Sequence, residues 1–211
     1  MKTCVYFAET GEKQGAVPWL ALGYGFTAAG LWRRMPLPET AAALVLDDRF
    51  LPEPQGLEEA RRVLDTWPGA LLLDFERPPV PRLLALQAEL AGRDLAVPPA
   101  YAAGPHSAVL TGPWIPGRSF SRWLEAQRKR WGPLVLDGAP VRCLCKPGAT
   151  PIPWEGPLPE QGFPCGSGCL HHRMEDGALL FWDTRESLLR RAEEAGLPFL
   201  IYRQDWEALT P

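Results

Sequence analysis

Positive charge is not in excess in this chain. Lys and Arg total 22 against 25 Asp and Glu, a formal net charge of −3, so no basic field draws it onto nucleic acid. A membrane-spanning run is also missing. The longest uncharged stretch, Leu95 to Gly117, is broken by prolines and His106, which suits strands and loops rather than a helix in lipid. The opening residues, MKTCVYFAET, lack the apolar stretch of about 7–15 residues that a secretory leader carries, so the expected compartment is the cytoplasm. Cysteine is sparse. The five residues (Cys4, Cys143, Cys145, Cys165 and Cys169) are an odd number, which in an intracellular chain argues against a disulfide framework. Neither a Gly-rich phosphate loop nor a G-x-S-x-G elbow occurs, which removes two common routes to catalysis.

What the chain does have is an ordinary globular balance, 46% hydrophobic and 22% charged over 211 residues. That length suits one domain, residues 1–211. The 20 Gly and 24 Pro predict many loops, and nine Trp supply core material or stacking surface for sugars. Apolar runs without strict alternation predict eight strands: Thr3–Ala8, Leu20–Phe26, Ala42–Leu46, Ala70–Glu76, Asp94–Val97, Ala108–Thr111, Leu134–Leu136 and Phe199–Tyr202. Such runs suit strands buried on both faces of a parallel sheet. Amphipathic helices separate several of them. Leu57, Ala60, Leu64 and Trp67 share one helical face, and Pro79–Ala91 and Phe120–Arg130 read similarly. In the last helix Asp183 stands as N-cap and Gly196-Leu197-Pro198 as stop.

Eight strands with interspersed helices predict a compact (β/α)₈ barrel, an α/β fold. The chain is short beside the roughly 250 residues typical of one, so some helices must be reduced to loops, within Pro36–Gly56 and Lys146–Gly168. Leu170–Met174, the turn Glu175-Asp176-Gly177 and Ala178–Trp182 read as a β-hairpin. With the preceding loop they form an insertion over about residues 146–183, before the last helix and strand.

The stretch Leu71-Leu72-Leu73-Asp74-Phe75-Glu76-Arg77-Pro78 carries the chemistry. At a strand period of two, Leu72, Asp74 and Glu76 share a face. Pointed into a barrel, both acids stand at the C-terminal mouth, where barrel active sites lie. Their repulsion raises one pKa, so that a proton can sit on Glu76 beside Asp74. The plainer reading is a strand end whose acids cap a helix or pair with Arg77 or Arg82.

Leu73-Asp74-Phe75-Glu76-Arg77-Pro78 on the fourth strand resembles the end of the D-x-x-D-x-D-x-E signature of family 18 glycoside hydrolases, the chitinase-like barrels. Leu95-Ala96-Val97-Pro98-Pro99 is similar to the next strand of that family. Phe181 to Ser187 and Phe199-Leu200-Ile201-Tyr202 resemble its inserted piece and closing strand. The resemblance implies retaining hydrolysis of β-1,4-linked N-acetylglucosamine glycans. Glu76 would be the acid/base and Asp74 would orient the substrate's 2-acetamido group, which attacks in place of a second carboxylate. A barrel without turnover that binds a saccharide or a protein partner is the alternative. The two earlier aspartates of the signature fall on Gly69 and Leu72, and the Met-x-Tyr-Asp of the sixth strand falls on Leu110-Thr111-Gly112-Pro113. The Trp that floors the sugar site falls on Tyr202.

Tyr202, Trp114 and Trp154 are the candidate saccharide contacts, the two tryptophans because they lie in Gly/Pro-rich loops. Trp123 and Trp131 read as core, and Arg128-Lys129-Arg130 as a solvated helix end. Cys143, Cys145, Cys165 and Cys169, followed by His171 and His172, have the residue types for a structural zinc site. The C-x-C spacing is not that of the usual zinc knuckle, and the plainer reading is a set of reduced, partly buried cysteines that merely fall near one another. No other cofactor, no nucleic acid and no membrane partner is expected.

Overall fold

The computed structural model describes residues 5–9, 18–112 and 116–209. Eight parallel strands close on themselves: β1 (Val5–Glu9), β2 (Trp19–Tyr24), β3 (Ala43–Asp47), β4 (Ala70–Asp74), β5 (Leu95–Val97), β6 (Ala108–Thr111), β7 (Leu134–Asp137) and β13 (Phe199–Tyr202). Each lies within a residue or two of a run expected to be a strand. The last strand pairs with both β7 and β1, so none of the eight has an open edge. The fold is a compact α/β barrel of the TIM type.

Period-two alternation divides each strand between two cores. Odd and even residues of neighbouring strands stay in register, as along Ala43↔Ala70 to Asp47↔Asp74. Inward-facing Ala8, Ala43, Ala70 and Ala96 interleave with Tyr6, Leu20, Val45 and Leu72 to fill the barrel. Small residues set against large ones suit so narrow a lumen. The outward set, including Leu44, Leu71, Leu73 and Leu136, packs under the helices.

The helices are fewer than the strands. α1 (Pro54–Asp65) and α2 (Pro81–Glu89) both begin with proline in their first turn, where no N–H is needed. They bury Ala60 and Leu64, and Leu83 and Leu86, respectively. Only a 3-10 turn (Pro99–Tyr101) follows β5, and residues 25–42 between β2 and β3 hold no helix. α3 (Phe120–Trp131) follows β6, with Trp123 and Trp131 half-buried against the core. A short α5 (Arg203–Ala208) follows β13. Among the described residues no helix is long and apolar enough to cross a membrane.

Between β7 and α4 (Arg185–Ala195) stands a second sheet, larger than the hairpin expected. It has five antiparallel strands in the order β10 (Phe163–Pro164), β11 (Leu170–Arg173), β12 (Leu179–Trp182), β8 (Arg142–Cys145), β9 (Ile152–Pro153). The hairpin of β11 and β12 turns at Gly177, whose φ of +81° only glycine adopts without cost. β9 and β10 stand within Lys146–Gly168, a stretch that reads as loop because two-residue strands with a proline carry no periodicity. One face of the sheet packs Leu144, Leu180 and Trp182 together. The other turns Cys143, Cys145 and Phe181 to the main core.

The sequence expectation for the last helix needs correction. Its N-cap is Thr184, not Asp183: the Thr184 hydroxyl accepts from Ser187 N–H, and Ser187 reciprocates. Asp183 is committed elsewhere, fully buried in an ion pair with Arg191 and accepting from Val141 N–H at 2.8 Å and Ser187 Oγ at 2.8 Å. Gly196 ends the helix in the left-handed conformation, as expected.

Candidate functional site

Because Ala70, Leu72 and Asp74 share the inward face of β4, the Asp74 carboxylate stands above the apolar lumen. The same arithmetic brings Asp137 inward from β7 and Tyr202 inward from β13. All three line one cavity of about 220 Å³ at the C-terminal mouth, walled by Leu20, Leu22, Val45, Leu72, Leu110 and Leu200. The Tyr202 hydroxyl donates to Asp74 Oδ2 at 2.8 Å, joining strands 128 positions apart. Burial raises the Tyr202 phenol well above its usual range, and the negative charge of Asp74 adds to this. A neutral phenol that donates to a carboxylate is the state such surroundings favour.

Asp137 was not foreseen. Burial pushes its carboxyl above the ordinary aspartate value. A hydrogen bond from Ala139 N–H at 3.0 Å to Oδ1 opposes that shift, and the charges of Asp74 and Asp205 reinforce it. A signal was available in the sequence. Leu134-Val135-Leu136-Asp137 repeats the pattern of Leu71-Leu72-Leu73-Asp74, an apolar strand that ends on an acid, and Leu44-Val45-Leu46-Asp47 repeats it again. The third copy is neutralised: Asp47, opposite Asp74 in register, is salt-bridged by Arg33 at 3.0 Å. Gly138 follows Asp137 because a side chain there would strike the Leu200 carbonyl and the Phe199 ring. The close approach of β7 and β13 therefore requires it.

Glu76 lies past the end of β4, exposed at the rim of the same cavity. Among the described residues it has no hydrogen-bond or ion-pair partner. The plainer reading of the two acids does not hold. Arg77 is turned away, its N–H on Asp48 Oδ2 at 2.7 Å and its guanidinium on the Asp48 and Arg49 carbonyls. Arg82 pairs with Glu53 at 2.7 Å. α2 begins at Pro81 with no side-chain cap. Neither Asp74 nor Glu76 is consumed by local structure.

The other candidates are not gathered here. Trp154 lies on the outer face of the five-stranded sheet, its indole donating to the Pro157 carbonyl at 3.2 Å, and contributes nothing to the mouth. Trp114 lies outside the described residues. The four cysteines fall into two pairs, Cys143 with Cys145 at 3.9 Å and Cys165 with Cys169 at 2.9 Å between sulfurs. Among the described residues no three Cys, His, Asp or Glu side chains converge as a metal site requires. His171 and His172 instead bond to the Phe163 and Gln161 carbonyls.

Fold and site together define an α/β barrel with an acidic, tyrosine-braced mouth. No protein-family profile matches the chain, and no curated protein or solved structure is significantly similar to it.

Proposed function

We propose that the barrel mouth is a glycoside-hydrolase site for β-1,4-linked N-acetylglucosamine glycans. The observation that carries this reading is the pair of acids at the C-terminal end of the fourth barrel strand. Asp74 is braced inside the cavity by Tyr202, and Glu76 stands open at the rim. The cavity of about 220 Å³ is below the roughly 300–1,000 Å³ of sites that enclose a whole drug-sized ligand. It takes one small arm of a sugar, such as an acetamido group, and leaves the ring at the rim.

In this scheme Glu76 protonates the glycosidic oxygen as the bond to the anomeric carbon breaks. The acetamido carbonyl oxygen closes on that carbon, and water later reopens the ring with Glu76 as base. Asp74 holds the acetamido N–H and stabilises the charge that develops on the ring. The family-18-like signature has Leu72 where a second aspartate belongs. Asp137, reaching the cavity from β7, takes over as the neighbour whose proton affinity depends on Asp74.

The test is product analysis by mass spectrometry with N-acetylglucosamine hexamers, comparing the wild type with Glu76→Gln. Cleavage by the wild type and a loss of about 10²–10⁴-fold in the variant is the expected result. Equal cleavage by both removes Glu76 from the mechanism. A second reading, saccharide binding without turnover, is favoured because Glu76 has no fixing partner among the described residues. It predicts calorimetric binding of the hexamer with no product from either protein.

A further inference from the structure

Cys165 and Cys169 face each other across the tight loop that joins β10 to β11. Cys165 N–H donates to the Cys169 carbonyl and Gly168 N–H to the Cys165 carbonyl, both at 2.9 Å. Gly168 permits the turn with φ of +81°. The two sulfurs are in contact at 2.9 Å, and the buried Ser167 hydroxyl lies 2.8 Å from one and 3.1 Å from the other. The loop is fastened from outside: Phe120 N–H, in the first turn of α3, donates to the Gly166 carbonyl at 2.9 Å, and Gly117 N–H donates to Ser167 Oγ at 3.3 Å. The charge of Arg191, from α4, acts on both thiols. Cys165 is half-exposed, whereas Cys169 is fully buried.

We propose that Cys165 and Cys169 form a reversible dithiol–disulfide couple that reacts with low-molecular-weight disulfides, Cys165 attacking and Cys169 resolving. The Cys165 thiolate attacks one sulfur of the reagent RSSR, forming Cys165–S–S–R and releasing RS⁻. Cys169 gives its proton to that thiolate, attacks the Cys165 sulfur and expels the second RS⁻, which takes a proton from water. Two electrons pass from the cysteine sulfurs to RSSR, which leaves as two thiols. The division of roles follows access, since only Cys165 meets solvent. Hydrogen bonds from Cys169, then Ser167 and the N–H groups of Ser167 and Gly117, hold the Cys165 thiol down to about 4 against the opposing effect of burial. Cys169, as the donor, is raised.

The neighbouring pair is an internal control. Cys143 and Cys145 are two apart on extended β8, which sets their Cα atoms about 6.6 Å apart, at the top of the range of about 4.4–6.8 Å that a disulfide spans. Burial, then the charge of Cys145, pushes Cys143 up to about 12.

The experiment treats the reduced full chain with oxidised glutathione and maps the products by peptide mass spectrometry. The expected product is a Cys165–Cys169 disulfide. Cys169→Ser should stop at a glutathione adduct on Cys165, and Cys165→Ser should leave residue 169 unmodified. A second measurement needs no variant: iodoacetamide labelling of each cysteine in the wild type against pH. Thiolate fraction and nucleophilicity nearly offset for so acidic a thiol, so the signature lies in the profile rather than the absolute rate. Cys165 labelling should stay level from about pH 8 to about pH 5, whereas an ordinary thiol of pKa about 8.5 slows about tenfold per unit below its pKa. Oxidation at Cys143–Cys145 in preference, no disulfide at residues 165 and 169, or a Cys165 profile that falls like an ordinary thiol overturns the proposal.

Discussion

The barrel mouth and the turn at Cys165 both hold reactive groups at fixed distances, one with the whole fold and the other with five residues. Asp74, Asp137 and Tyr202 come from three strands and meet only because the barrel closes, and the Tyr202–Asp74 bond spans 128 positions. Cys165 and Cys169 meet through the hydrogen bonds of one hairpin loop. The mouth geometry therefore depends on barrel closure, whereas the turn depends on local backbone and on the helices that clamp it. Arg191 fastens the turn to the second sheet, since it reaches from α4 to Asp183, just past the end of β12, and to the thiols.

The largest blow to this comparison is Arg191→Ala. It leaves the Asp183 carboxylate buried without its cation, for which loss of about 3–5 kcal/mol is expected, read by urea unfolding. If sheet and barrel are one cooperative unit, a single transition shifts to lower urea. A split transition, with the sheet melting first, would show that the turn is independent of the barrel. Tyr202→Phe sharpens the other side. It removes one partly buried hydrogen bond to a carboxylate and should cost about 1.5 kcal/mol. The same variant should weaken saccharide binding at the mouth and leave oxidation of Cys165 and Cys169 unchanged.

The same contrast decides what could be read from the chain before its fold was known. The eight barrel strands were legible because each is a mainly apolar run without strict alternation. Asp74 was legible because it ends a strand, where a period of two decides which way a side chain points, and Glu76 because it stands two residues further on, just past the end of that strand. Asp137 was not, since it matters only through residues on other strands, although its strand repeats the apolar-then-acid pattern. Nor was it legible that Cys143, Cys145, Cys165 and Cys169 stand as two separate pairs. Proximity in sequence brought each pair together but could not indicate that β12, with Phe181, lies between strand β8 and the turn. The strands from Ile152 to Pro164 were hidden for a different reason, being too short and too rich in proline to show a period. Asp183 read as a helix cap because a capping acid and a buried ion-pair acid look alike until Arg191 is placed.

The central claim is that the mouth holds two inward carboxyls and that burial and then the Asp74 charge raise the proton affinity of Asp137, and titration of Asp137 tests it most directly. Burial and the Asp74 charge raise the Asp137 carboxyl in the folded protein. The stability it contributes is therefore fully present below the unfolded value of about 3.9 and is lost as pH rises through the raised folded value. Carboxyl carbon-13 NMR of the wild type and of Asp74→Asn would follow that proton at its own site. The account predicts that Asp137 titrates above the ordinary aspartate range and moves down toward it in Asp74→Asn. An Asp137 that titrates at or below about 3.9, unmoved by the loss of Asp74, would contradict it.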